Sequence, residues 1–165
     1  MDIVDEIIIR NPDIILCYGA SIIKSKLLDI YKGRCVNVHL GLSPYYRGSG
    51  TNIWPLIDNR LDLIGATFMH IDKGIDTGKI IHQIRGKVLL GDSPHSIGNR
   101  LIKDMVECCT KLILNFNDLC EMPQLEKDGK LFKDNDFDEQ SCQKLYNNLQ
   151  NNIVEKFINS NYEHA

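Results

Sequence analysis

The chain has 165 residues, of which 43% are hydrophobic and 25% charged, and its formal net charge is −3. This length and composition are ordinary for a soluble globular protein whose core needs neither disulfides nor metal ions. The negative net charge argues against a basic surface for nucleic acid, and no apolar run approaches the roughly 18 residues that would suggest a membrane span.

The first residues, MDIVDE, are acidic, whereas a secretory signal starts basic and then turns apolar. We therefore expect a cytoplasmic protein. Its six cysteines form no CxxC pair, and its five histidines form neither an HxxxH nor an HExxH pattern. These spacings predict reduced thiols and no metal site.

In the first third of the chain, short apolar runs alternate with helical segments. Residues 2–10 have helical character and end at the turn sequence NPD, since proline fixes its own φ and restricts the residue before it. Residues 14–18 and 35–40 are apolar runs bounded by turn residues, which is typical of buried, parallel strands. Residues 24–31 between them are predicted to form a short helix, and a glycine-rich loop follows at residues 41–50.

The middle of the chain continues this alternation. A helix is predicted over residues 52–59, and strands are predicted over residues 64–72 and 79–89. Ser93 and Pro94 are typical of a helix start, and the helix that follows, to about residue 116, carries one apolar stripe.

After residue 116 the sequence becomes polar and charged. Gly129 is expected to centre a small hairpin, and residues 140–158 return to helical spacing. The order of strands and helices predicts an α/β fold. Residues 1–117 are assigned to a catalytic domain, and residues 118–165 to a C-terminal extension with a hairpin and a helix.

Two polar residues lie on one face of the second predicted strand. Side chains alternate along a strand, so Asn37 and His39 point to the same side. The glycine-rich loop follows at once, which places both residues at the carboxyl end of the strand, where open α/β sheets bind ligands. An Asn-x-His pair on its own is more often structural than functional, so a packing role stays open.

A second feature is the sequence DKGIDTG over residues 72–78, in which two glycines bracket Asp76. Such a loop can aim a carboxylate into a cleft and lets a ligand approach the backbone closely. The same loop is compatible with a plain turn or a weak calcium site, although it lacks the spacing and the terminal Glu of an EF-hand.

Together, Asn37, His39 and Asp76 suggest acyl-group transfer. An amide can donate hydrogen bonds to a developing oxyanion, and a carboxylate can order a water molecule. A histidine can take a proton from an attacking amine and return one to the leaving nitrogen. No serine or cysteine lies in a nucleophile-elbow motif, so direct transfer through a tetrahedral intermediate is favoured over an acyl-enzyme.

Four segments in this order resemble the 10-formyltetrahydrofolate-dependent formyltransferases: NVH at residues 37–39, LSPYYRG at 42–48, GAT at 65–67 and GIDTGKI at 74–80. The match covers roughly residues 5–116 and is specific as a set, whereas each segment alone is not. The resemblance implies a Rossmann-like catalytic domain with an open, mostly parallel sheet flanked by helices. It also implies 10-formyltetrahydrofolate as the formyl donor.

The resemblance further implies roles for individual residues. Asn37 would stabilise the oxyanion, His39 would be the acid and base, and Asp76 would support His39 and relay protons through water. Tyr45 and Arg47 would lie near the entry of the amine substrate, where Arg47 could pair with a phosphate. The donor would be bound by six residues: Ala20, Ser21, Ile22, Ile23, Ile71 and Asp72.

Two departures from the family pattern stand out. The family usually has SLLP before its Tyr-Arg-Gly sequence, and this chain has GLSP at residues 41–44. Family members also have a first βαβ region of roughly 30 residues before the helix at residues 2–10, and we expect this chain to lack it. The sheet edge would then be unpaired, which favours either association, for example as a homodimer, or poor stability; both alternatives stay open.

The C-terminal extension bears on the acceptor. Methionyl-tRNA formyltransferases carry a barrel domain for tRNA, whereas the helix here resembles a small appended helix of the sugar-modifying branch. We therefore expect the acceptor to be a small-molecule amine, with a nucleotide-linked amino sugar favoured, and no nucleic-acid or membrane partner. Two alternatives stay open: a formyltetrahydrofolate hydrolase, which passes the formyl group to water, and a non-catalytic fragment that binds folate or a partner chain.

Overall fold

Strands and helices alternate along most of the chain. The computed structural model describes residues 3–23, 25–124 and 129–162. Within these residues the strands are β1 (Ile15–Cys17), β2 (Cys35–His39), β3 (Tyr46–Gly48), β4 (Gly65–His70), β5 (Ile80–Arg85) and β6 (Lys130–Phe132). The helices are α1 (Ile3–Arg10), α2 (Ser25–Ile30), α3 (Trp54–Ile57), α4 (Pro94–Leu114), α5 (Glu139–Gln150) and α6 (Ile153–Tyr162).

The central sheet has the strand order β1-β2-β4-β5. Strand β1 pairs parallel with β2, while β2 with β4 and β4 with β5 pair antiparallel. The predicted α/β architecture is confirmed, but these strand directions differ from the expected mostly parallel sheet. The connections explain the difference. Strands β1 and β2 are joined through the crossover helix α2, whereas residues 71–79 between β4 and β5 are too few for a crossover and turn the chain back.

A second sheet has two strands, β3 and β6. Strand β6 pairs parallel with β3, with Tyr46 opposite Lys130 and Gly48 opposite Phe132. The strand after Gly129 thus pairs with β3, whereas the hairpin predicted around Gly129 involves residues 125–128, which lie outside the described residues, so the hairpin stays a prediction. Glycine is required at position 129 because an added Cβ would lie 1.9 Å from the carbonyl oxygen of Pro44.

The long helix predicted from Ser93 is α4. Ser93 caps it, since the amide of Ser96 donates to Ser93 Oγ at 3.2 Å. The helices predicted over residues 2–10 and 24–31 correspond to α1 and α2, although Asp2 and Lys24 lie outside the described residues. No helix in the described part of the chain is long and apolar enough to cross a membrane.

Two other predicted helices differ in extent. The helix expected over residues 52–59 is shortened to the single turn of α3. The helix expected over residues 140–158 is interrupted between α5 and α6, because Asn152 has a φ of 57°. This left-handed value ends a helix, and asparagine tolerates it better than most residues do.

The larger hydrophobic core lies between the central sheet and the helices, and it includes β2 and β4 residues such as Val36, Val38 and Phe68 together with Leu101 of α4. The C-terminal segment contributes to the same core. Its buried members are Phe132, Leu145, Ile153 and Val154. The predicted boundary between residues 117 and 118 stays a prediction.

Candidate active site

Asn37 and His39 lie at the carboxyl end of β2 and on the same face, as the alternation along the strand predicts. In the pairing with β4, Asn37 is opposite Met69 and His39 is opposite Thr67. His39 is buried, and Asn37 is partly buried. Two polar side chains on this otherwise apolar strand need hydrogen-bond partners, and the loop after β4 supplies one.

That partner is Asp76. It lies in the loop between β4 and β5 and has a φ of 52°, which is uncommon for a residue other than glycine. Its side chain is 10% exposed. Asp76 Oδ1 accepts a hydrogen bond from Asn37 Nδ2 at 2.8 Å, and Oδ2 accepts one from the backbone amide of Gly48, also at 2.8 Å. Both oxygens of the carboxylate are therefore held.

Each ring nitrogen of His39 lies close to an oxygen atom. Its Nε2 lies 2.8 Å from the carbonyl oxygen of Tyr46. Because a carbonyl only accepts, Nε2 carries a proton and donates it to this bond. Nδ1 faces Asp76 Oδ2 at 3.4 Å, so it is the ring nitrogen that can exchange a proton with the site.

Strand β3 thus supplies two backbone anchors, Tyr46 O for His39 and Gly48 N for Asp76. Gly48 has a φ of 89°, and an added Cβ would lie 2.0 Å from the carbonyl oxygen of Phe132, so only glycine fits. Burial, with Asp58 as the next cause, raises the pKa of the Tyr46 hydroxyl well above its usual range.

The loop that carries Asp76 is stabilised by hydrogen bonds within the loop and by hydrogen bonds from Gln124 of the C-terminal segment. Asp72 Oδ1 accepts from the amide of Gly74 at 2.9 Å and from Thr77 Oγ1 at 2.7 Å. Gln124 Nε2 donates to the carbonyl oxygens of Asp76 at 3.0 Å and Gly78 at 2.7 Å. These bonds fix the direction in which the Asp76 carboxylate points.

Two cavities meet at Asn37 and Asp76. The smaller, of about 130 Å³, is lined by all six residues predicted to bind the donor, together with other aliphatic side chains. The larger, of about 700 Å³, also contains His39 and is walled by residues 48–52 and 131–134. Asn37 and Asp76 therefore face both spaces, and His39 faces the larger one.

Tyr45 and Arg47 lie elsewhere. Neither lines the two cavities at the trio; Tyr45 is 38% exposed, and Arg47 lines a third cavity of about 580 Å³. Within the described residues, no group of three or more His, Cys, Asp and Glu side chains could hold a metal ion.

Sequence reasoning missed the anchoring groups of the site. Tyr46 and Gly48 act through backbone atoms, and Gln124 lies 48 residues beyond Asp76. The glycine in the Tyr-Arg-Gly sequence is a usable signal, because a glycine in a turn can mark a close backbone contact. Residues 131–134, which line the larger cavity, show no comparable sequence feature that indicates a position at the site.

The chain matches known proteins along most of its length. The family model described as Formyl transferase matches residues 1–112. A methionyl-tRNA formyltransferase of Thermodesulfovibrio yellowstonii is 31% identical over 153 residues, which is 83% of this chain and 47% of that protein.

Solved structures give the same picture. The formyltransferase PseJ from Anoxybacillus kamchatkensis, in complex with UDP-4,6-dideoxy-4-formamido-L-AltNAc and tetrahydrofolate, is 27% identical with a TM-score of 0.66, covering 84% of this chain and 78% of that one. A 4-N formyltransferase from Francisella tularensis is 25% identical with a TM-score of 0.68, covering 83% and 57%. The chain covers 47% of the length of that Thermodesulfovibrio protein and smaller shares of other methionyl-tRNA formyltransferases, such as 36% and 26%.

Proposed function

The chain belongs to the formyl transferase family, and on that basis we propose that it is an N-formyltransferase. It moves the formyl group of 10-formyltetrahydrofolate to the amine of a small molecule, for which a nucleotide-linked amino sugar is the favoured class. One observation carries this proposal. Asn37, His39 and Asp76 form one connected set at the junction of two cavities, so a donor and an acceptor can meet there.

The smaller cavity suits the donor. Aliphatic side chains, among them Ile22, Ile23 and Ile71, face a narrow space, which fits a flat pteridine ring. Asn37 and Asp76 lie at its inner end, where the formyl-bearing nitrogen would be placed. The tetrahydrofolate bound to PseJ supports this choice of donor.

The trio can then carry the transfer. The acceptor nitrogen attacks the formyl carbon, and Asn37 donates its remaining Nδ2 hydrogen to the oxygen that becomes negative. His39 Nδ1 takes the proton that the amine loses, with Asp76 beside it as the relay through water. When the carbon–nitrogen bond to the folate breaks, that proton returns to the leaving nitrogen, so the folate leaves as tetrahydrofolate.

The acceptor would occupy the larger cavity. The bound UDP-linked formamido sugar of PseJ, a protein of which this chain covers 78%, supports a nucleotide-linked amino sugar. The 31% identity to a methionyl-tRNA formyltransferase supports methionyl-tRNA as the second candidate. The net charge of −3 favours the small acceptor, because tRNA binding depends on a basic surface.

An acceptor panel tests the proposal. The purified chain is given 10-formyltetrahydrofolate with a UDP-linked 4-amino sugar, with methionyl-tRNA, or with buffer alone, and tetrahydrofolate release is followed. We expect release that depends on the amino sugar and is lost in His39→Asn. His82→Asn is the matched control, since His82 is an exposed histidine of the same sheet. Equal release in buffer alone would indicate the hydrolase instead, and unchanged release in His39→Asn would refute the assigned site.

A further inference from the structure

Arg47 lies on β3 between the two backbone groups that hold the catalytic trio. Tyr46, before it, accepts the hydrogen bond from His39, and Gly48, after it, donates to Asp76. Because side chains alternate along a strand, the Arg47 side chain leaves β3 on the face opposite that of Tyr46. There it lines the third cavity, of about 580 Å³.

The Arg47 guanidinium is poorly compensated by the described residues. Its Nε is buried without a hydrogen-bond partner, and no carboxylate of the described chain forms an ion pair with it. Its Nη2 donates to the carbonyl oxygen of Gly129 at 3.4 Å, which is long for a hydrogen bond. Unpaired groups of this kind call for a partner that a ligand can supply, and guanidinium groups pair best with phosphate and carboxylate.

The other charged groups that line this cavity have partners of their own, so neither of them neutralises Arg47. Lys79 lies on its wall, and its Nζ is 2.8 Å from Glu121 Oε2. Asp72 also lines it, but the carboxylate is engaged by Gly74 and Thr77 of its own loop. Asp72 and Thr77 line the smaller cavity of the active site as well, so the two spaces are separated by one loop.

We propose that this third cavity is an oxyanion subsite in which Arg47 binds a phosphate or carboxylate group of a cosubstrate. The inference rests on the proposed function, because both cosubstrates are anionic. The donor carries glutamyl carboxylates, and a nucleotide-linked acceptor carries a diphosphate. An anion at Arg47 would bind directly behind the strand that positions His39 and Asp76.

Equilibrium binding tests the subsite without turnover. The full chain is titrated at constant ionic strength with four probes: inorganic pyrophosphate, UDP, tetrahydrofolate monoglutamate and tetrahydrofolate triglutamate. Arg47→Gln should weaken either the pyrophosphate and UDP pair or the triglutamate relative to the monoglutamate, by about tenfold or more. Which probes weaken identifies the source of the anion. Arg47→Lys should lie between, since lysine keeps the charge but not the bidentate geometry.

Arg60→Gln is the matched control, because Arg60 is exposed and pairs with Asp62 away from all three cavities. Identical affinities of wild type and a folded Arg47→Gln for every probe would overturn the subsite. If Arg47→Gln does not fold, Arg47→Lys decides: weakened binding of the same probes supports the subsite, and unchanged binding overturns it. A chain that binds these probes through Arg47 yet transfers no formyl group would refute the proposed function and leave the subsite standing.

Discussion

Replacing Asp76 by asparagine separates its role in the reaction from any role in binding. The carboxylate has two oxygens, and each accepts one hydrogen bond, from Asn37 Nδ2 and from the amide of Gly48. An asparagine side chain has only one oxygen. Whichever way the amide is turned, its NH2 group faces one of these donors, so one hydrogen bond is lost and two donors are opposed.

The size of the effect follows from these contacts. Losing one hydrogen bond to a charged group costs about 1.5–3 kcal/mol, which corresponds to roughly a 10- to 100-fold change in rate if it is felt in the transition state. The substitution also removes the negative charge beside His39 Nδ1, and positioned acid–base groups contribute roughly 10²- to 10⁴-fold. We therefore expect kcat to fall by about 10²- to 10⁴-fold. Donor affinity should change little, because asparagine keeps the size of the side chain where Asp76 lines the smaller cavity, and the six residues predicted to bind the donor are unchanged.

Single-turnover formyl transfer gives the rate, and equilibrium titration with tetrahydrofolate gives the affinity. Asp104→Asn on α4 is the matched control, since Asp104 lines neither cavity of the site. A collapse of tetrahydrofolate affinity with an unchanged rate would refute the reasoning, because Asp76 would then hold the donor rather than act in the transfer.

Three further predictions concern the backbone fit at Gly48, the packing of Phe132 and the salt bridge between Asp92 and Arg100. Gly48→Ala should lower the melting temperature and reduce formyl transfer at least tenfold, because the new Cβ would lie 2.0 Å from the Phe132 carbonyl oxygen. A melting temperature and an activity equal to those of the wild type would contradict this prediction. Phe132→Ala should lower the free energy of unfolding, measured in urea, by about 3–5 kcal/mol, because this buried ring stacks on Trp54 with 4.2 Å between the ring centroids. Phe137→Ala should cost much less, because Phe137 is exposed, and equal losses in the two variants would count against the packing role. The Arg100 guanidinium holds the pKa of the Asp92 carboxyl at about 2, below the ordinary 3.8, so this stabilisation is present above pH 4 and lost as pH falls toward 2. Asp92→Asn should therefore cost about 2 kcal/mol at pH 7 and progressively less in acid, and a difference from wild type that does not depend on pH would contradict the assignment.

The parts of the fold and of the site that depend on local sequence could be predicted from the sequence. The strand that carries Asn37 and His39, the loop that carries Asp76 and the capped helix α4 depend on short-range alternation, glycine spacing and capping. Each of these signals lies within a few residues of the structure it determines.

The parts that were missed depend on long-range pairing. Strand β6 pairs with β3 across more than 80 residues, and neither three-residue segment shows which partner it selects. The antiparallel directions in the central sheet follow from connection lengths rather than from the apolar runs. The anchors of the trio, Tyr46 O and Gly48 N, are backbone groups that residue identity does not reveal.

The most direct test of the central claim follows the formyl carbon itself. The chain is supplied with 10-formyltetrahydrofolate labelled with ¹³C at the formyl group and with a UDP-linked 4-amino sugar, and the label is located by NMR. The account predicts that the label appears as a formamide on the sugar in the wild type and stays on the folate in His39→Asn. Label found as free formate, or a formamide signal of equal intensity in His39→Asn, would contradict it.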